Sequence, residues 1–91
     1  MTDKLSNIVL FGGDLKELND FTGKQYEIAG EYFESKPYSA FSDLGEECRK
    51  ELKNEGYDGI IRRRTLHLIL FGFSFSEYIT GVPVKLIEGE K

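Results

Sequence analysis

The chain reads as an α+β domain, a small antiparallel sheet with one central helix packed on one face, in the order β-β-α-β-β. Three observations predict this. Phe41, Leu44, Cys48 and Leu52 recur at three- and four-residue spacing and form a single apolar helical stripe. The stretch Glu55-Gly56-Tyr57-Asp58-Gly59-Ile60-Ile61 closes that helix and opens an apolar strand. On either side lie runs rich in β-branched and aromatic residues, punctuated by Gly, Pro and Ser.

Each element has its own signal. Asn7 to Phe11 has the bulk and length of a short strand, ended by the turn signal Gly12-Gly13-Asp14. Leu15 and Leu18 could start a helical turn, but Asn19-Asp20 and Gly23 follow at once, so Asp14 to Lys24 reads as irregular, an arm or an extra strand. From Tyr26 to Phe33 the residues Tyr26, Ile28, Gly30 and Tyr32 alternate with Glu27, Ala29, Glu31 and Phe33, the period of a strand, which Glu34-Ser35-Lys36-Pro37 breaks.

The central helix starts at Ser39 or Ser42 as cap, with Asp43, Glu46 and Glu47 early and Arg49, Lys50 and Lys53 late, as the helix dipole favours. Gly45 weakens it by roughly 1 kcal/mol relative to alanine. Gly56 is its left-handed stop. The run from Ile60 to Leu86 reads as two strands folded back on each other, turning either at Phe71-Gly72-Phe73 or near Ser74 to Ser76. Pro83 has no ladder donor and belongs at an edge or a bulge. Glu88 to Lys91 is a fraying tail.

With 91 residues and 10.4 kDa the chain is one domain, 1–91. A domain of this size buries only about 60–65% of its unfolded surface, so oligomerisation would help it. One helix leaves the other sheet face uncovered, and a symmetric homo-oligomer is the economical way to bury it. The net charge of -4 and pI near 5.0 give no general attraction to duplex DNA or an anionic membrane. Neither Asn7 to Phe11 nor Leu66 to Phe75 approaches the ~20 apolar residues of a membrane span. The N-terminus has none of the regions of a signal peptide, and a single cysteine forms no internal disulfide, which together point to the cytoplasm.

Several segments together resemble the YbjQ-like family, small proteins associated with heavy-metal binding. They are Tyr26-Glu27-Ile28-Ala29-Gly30-Glu31, the helix end Leu52 to Ile61, and Thr80-Gly81-Val82-Pro83-Val84-Lys85-Leu86. The resemblance spans Tyr26 to Leu86 through short, mostly structural motifs. It implies a small cytoplasmic α+β domain in a ring, commonly pentameric, without established enzymatic activity. Tyr57 and Gly59 stand where that family has alanines, and no metal-ligand set carries over. A weaker resemblance links Gly56-Tyr57-Asp58-Gly59-Ile60-Ile61 to the late part of ADP-ribosyltransferase-like domains, whose nicotinamide-binding half this chain has no room for.

Among candidate site residues, Arg62, Arg63 and Arg64 are the one strongly basic feature. In a strand Arg62 and Arg64 share one face and Arg63 takes the other. They either pair with Glu27, Glu31 or Glu34 across the sheet or hold a phosphate through their guanidinium forks. His67 falls on the face of Arg63 and reads either as a hydrogen-bonded strand residue or as a ligand contact. Cys48 lies in the helix stripe, which predicts burial and inertness. With His67 it makes no zinc site within one chain, so no metal and no cofactor are expected, and a metal could bind only where several chains repeat these residues.

Asp58, between Gly56 and Gly59, suits a structural joint, its carboxylate holding backbone amides. Tyr26, Tyr32, Phe33, Tyr38, Phe71, Phe73, Phe75 and Tyr78 exceed what one helix covers and serve core, subunit interface or a stacking platform. No residue has a recognisable nucleophile context. The expected function is therefore a non-enzymatic, homo-oligomeric module for a phosphate-bearing or nucleotide ligand, with a protein-binding inhibitor or adaptor as the alternative.

Overall fold

One long strand organises the molecule. The computed structural model describes residues 7–39, 42–70 and 73–87, and of residues 68–70 and 73–75 it describes the backbone. Phe41, the Phe71-Gly72 pair and the tail from Glu88 lie outside these. In chain order the elements are β1 (Val9–Leu10), α1 (Leu15–Thr22), β2 (Tyr26–Ile28), β3 (Phe33–Glu34), β4 (Tyr38–Ser39), α2 (Leu44–Glu55), β5 (Gly59–Leu70) and β6 (Phe73–Leu86). β6 pairs antiparallel with β5 along one side and with β2, β3 and β4 in succession along the other, while β1 joins β5 in parallel. The sheet is thus mixed rather than antiparallel. Leu70 stands opposite Phe73 and Ile69 opposite Ser74, so Ser74 to Ser76 lies within the ladder rather than at the reversal, and the other expected place, Phe71-Gly72-Phe73, falls mostly outside the described residues.

The expected single helix is corrected to two. Residues 15–22, read as irregular, form α1 on the sheet face opposite α2. Strand alternation sorts the core between them. Ile60 and Ile79 pack with Cys48 and Leu52 of α2, whereas Ile61 and Val84 pack with Leu18 of α1. The face expected to need a second subunit is therefore covered at this end by the chain's own first helix.

Local chemistry explains why α1 forms despite its polar sequence. Glu17 accepts the Asp14 amide at 2.8 Å, Gly23 closes the helix at φ 73, and the Gly23 amide donates to the Asn19 carbonyl. Asn19, read as a breaker, also accepts the Tyr26 amide through its side chain at 2.8 Å and so aims the chain into β2. α2 is capped by Asp43, which accepts the Glu46 amide at 3.2 Å. The Ser39 and Ser42 expectation fails because the helix begins at Leu44 and the capping position is the residue before it. Gly56 ends α2 at φ 86, as expected.

The expected strand from Tyr26 to Phe33 is two strands, and the cause lies in a neighbour. Pro83 sits inside β6 with its carbonyl accepting the Ala29 amide at 2.8 Å, so its donorless nitrogen faces the same edge. The ladder stops there. The five steps from Ile28 to Phe33 then span only three from Val84 to Gly81, and Ala29 to Tyr32 loops out. Tyr26 is buried but Ile28 and Tyr32 are exposed, so the single aromatic face does not exist.

Farther along, Ser35 replaces a ladder partner: it donates its amide to the Ile79 carbonyl, and its hydroxyl accepts the Ile79 amide. Beyond Ile79 the β5–β6 hairpin runs on, paired on its β6 side, among the described residues, by β4 alone. The radius of gyration, 14.0 Å, exceeds the ~12 Å of a globular chain this long, and the long axis measures 53 Å.

Candidate functional site: the arginine bulge at the base of the hairpin

Between the pairs Ile61–Val82 and Arg64–Thr80, β5 carries Arg62 and Arg63 against the single Gly81 of β6. This is a β-bulge, and Arg62 occupies its left-handed position at φ 54, the one non-glycine residue with positive φ among those described. A bulky residue there costs of order 1–3 kcal/mol unless its surroundings hold it. They do: the Arg62 amide donates to the Gly13 carbonyl at 2.9 Å and the Arg63 amide to the Phe11 carbonyl at 3.0 Å. Gly81 is required opposite, because a Cβ would stand 2.7 Å from the Ile61 carbonyl oxygen.

The bulge deals the arginines to both faces. Arg62 Nε donates to Asp14 Oδ1 at 2.7 Å, with both side chains exposed, so the partner is the N-cap of α1 rather than Glu27, Glu31 or Glu34. Arg64 lies opposite Thr80, which Glu34 flanks from β3, on the α1 side of the sheet. Arg63 acts electrostatically on Cys48 of α2, on the other side. Among the described residues neither Arg63 nor Arg64 makes an ion pair, and both are exposed. Tyr32 donates to Glu34 at 3.1 Å, and Tyr78, opposite Leu66, stands two residues along β6 from Thr80.

His67 is two residues farther along the α2 side than Thr65. Its Nδ1 lies 3.2 Å from Glu77 Oε2, directly across the hairpin, and Tyr38 of β4 stands on Glu77's other flank. His67 and Arg64 therefore face opposite ways, and the four expected ligand residues do not converge on one point. Ser35, which no spacing signal singles out, is the buried polar residue that joins β3 to β6.

The joint residues serve packing. Asp58 donates its amide to Val84, accepts the Val9 amide on its carbonyl, and accepts the Leu86 amide on Oδ2 at 2.7 Å. Tyr26 beside it is pushed up from the ordinary phenol value by burial first and the Asp58 charge second. Cys48 is fully buried, and burial pushes its thiol up to about 11 against weaker opposing influences of Arg49 and Arg63.

A raised folded pKa means stability is fully present below the ordinary thiol value of 9.0 and is lost as pH rises through about 11. Thiol-reactive dye at pH 8 is therefore expected to modify Cys48 only at the rate of unfolding; rapid labelling of folded protein would contradict its burial.

Among the described residues, no group of three or more His, Cys, Asp or Glu side chains is placed to hold a metal ion, and no helix is long and apolar enough to cross a membrane. The chain matches no family model, no curated protein and no solved structure.

Proposed function

We propose that the protein is a non-enzymatic, homo-oligomeric binding module that holds a phosphate-bearing anion, in particular a nucleotide, at the base of its hairpin. The observation that carries this is the bulge: among the described residues it leaves Arg63 and Arg64 exposed and outside any ion pair, with Tyr78 and, through Glu34, Tyr32 near Arg64's cross-strand partner Thr80. A guanidinium offers a fork for phosphate and the adjoining rings a surface for a base. The strained backbone at Arg62 supports a retained role for this geometry. Cys48, buried with its thiol protonated, and His67, engaged by Glu77, support a role without covalent catalysis.

Titration with AMP and with inorganic phosphate, followed by amide chemical shifts, tests the reading. The expected result is binding centred on Arg64, Thr80 and Tyr78, weakened as salt rises and weakened ~10-fold by Arg64→Gln. Binding indifferent to both salt and Arg64→Gln would overturn it. The adaptor reading keeps one specific support, the outer edge of β5 beyond Arg63, which no strand pairs among the described residues and through which a partner strand could add.

A further inference from the structure

We propose that two copies of this chain join along the outer edge of β5, antiparallel about a two-fold axis at His67, so that their sheets become one. This rests on the homo-oligomeric part of the reading above and adds the surface, the symmetry and the register.

The backbone shows which groups the edge offers. Ile79 directs both its amide and its carbonyl at Ser35, away from β5, so Ile79 and the opposite Thr65 are a pair that exchanges no hydrogen bonds. Thr65 therefore turns its own amide and carbonyl outward. By strand alternation His67 and Ile69 do the same, since the irregularity between Leu68 and Ile69 inserts its extra residue, Phe75, in β6 and not in β5. β1 stops at the base: its neighbours reach only Arg63. Among the described residues no strand pairs this outer edge from Thr65 to Leu70.

Natural sheets protect such an edge with lysine, proline, bulges or short strands. Thr65-Leu66-His67-Leu68-Ile69-Leu70 has no lysine, no proline and no acidic residue. The opposite edge is protected, being divided into β2, β3 and β4 with register shifts and with Lys36-Pro37 between the last two. A ring would have to join one edge to the other, and that second edge is the wrong shape. The smooth edge finds its match in a copy of itself, which closes as a two-fold dimer.

Charge selects the direction. Parallel pairing would set two Arg62-Arg63-Arg64 clusters side by side. Antiparallel pairing about His67 puts Arg64 opposite Leu70 of the second copy and holds the clusters apart by ~20 Å, six residues of strand. In that register Thr65 meets Ile69, His67 meets His67, and Leu66 stands opposite Leu68. The three outward pairs exchange about six hydrogen bonds.

The test combines light scattering on the full chain with three variants. The wild type is expected to be a dimer. Thr65→Pro removes an outward donor without touching the β6 ladder, so it is expected to keep the wild-type circular dichroism while raising the dimer Kd ~100-fold or more. His67→Cys is expected to form an intermolecular disulfide on mild oxidation, because paired Cα atoms ~5.5 Å apart suit one. Thr65→Cys, opposite Ile69 rather than itself, is expected to form none.

A wild type that is monomeric at ~1 mM would overturn both this proposal and the homo-oligomeric reading. An oligomer that survives Thr65→Pro, or a failure of His67→Cys to cross-link while Thr65→Cys does, would overturn the edge and register alone. If Thr65→Pro fails to fold, the two cysteine variants decide.

Discussion

Gly59→Val is expected to lower the unfolding free energy by ~3 kcal/mol or more, because the site has no room that a rotamer change could provide. A Cβ at Gly59 would overlap the Val9 side chain and stand 2.6 Å from the Val9 carbonyl oxygen and 3.1 Å from its nitrogen. These are backbone atoms of the parallel partner strand, so the added methyl groups must push β1 away from β5. That movement would also loosen the Val9 amide from Asp58 and the bulge amides from Gly13 and Phe11. A shift of the urea midpoint reads the effect, with Gly12→Ala as control. Nothing lies within 4 Å of a Cβ at Gly12, and that variant should stay within about 0.5 kcal/mol of wild type. Equal midpoints for the two variants would show that β1 does not pack on Gly59.

The second large effect is Leu18→Ala, with an expected loss of about 2–5 kcal/mol. Leu18 is only 1% exposed and fills the core between α1 and the sheet, against Tyr26, Ile61 and Val84. A chain of this length has a stability of roughly 5–14 kcal/mol, so the variant would be near the limit of folding. Leu52→Ala, equally buried beneath α2, should cost a comparable amount. Comparing the two decides whether the sheet is covered on both faces. A near-neutral Leu18→Ala beside a costly Leu52→Ala would leave α1 a surface appendage.

What the sequence revealed and what it concealed divide along a physical line. α2, its Gly56 stop, the joint at Asp58 and the paired run from Ile60 to Leu86 rest on local periodicity and turn chemistry, and they are legible residue by residue. α1 was not, because of its three apolar residues only Leu18 is buried while Phe21 points to solvent, and what stabilises it comes from Glu17, Gly23 and the sheet below. The break after Ile28 was hidden for a similar reason: its cause is Pro83, more than fifty positions away. The arginine cluster was plain as composition. The relative faces were legible too, with Arg63 and His67 sharing one and Arg64 taking the other; what was hidden is which helix each face meets, since the bulge advances the pairing by one residue.

The parallel pairing of Val9 with Gly59 also dictates an order of events during synthesis. A nascent chain grows from its N-terminus at ~5–20 residues per second, so β1 emerges roughly 3–10 s before the strand it must join. For that interval Ile8, Val9, Leu10 and Phe11 have no sheet to enter, and they form an apolar segment of the kind that chaperones recognise. α2 and the β5–β6 hairpin need only near neighbours in the chain and can form as soon as they are made. β1 is thus translated well before the strand it pairs with and admitted late, and a pause in translation before Gly59 would lengthen its exposure.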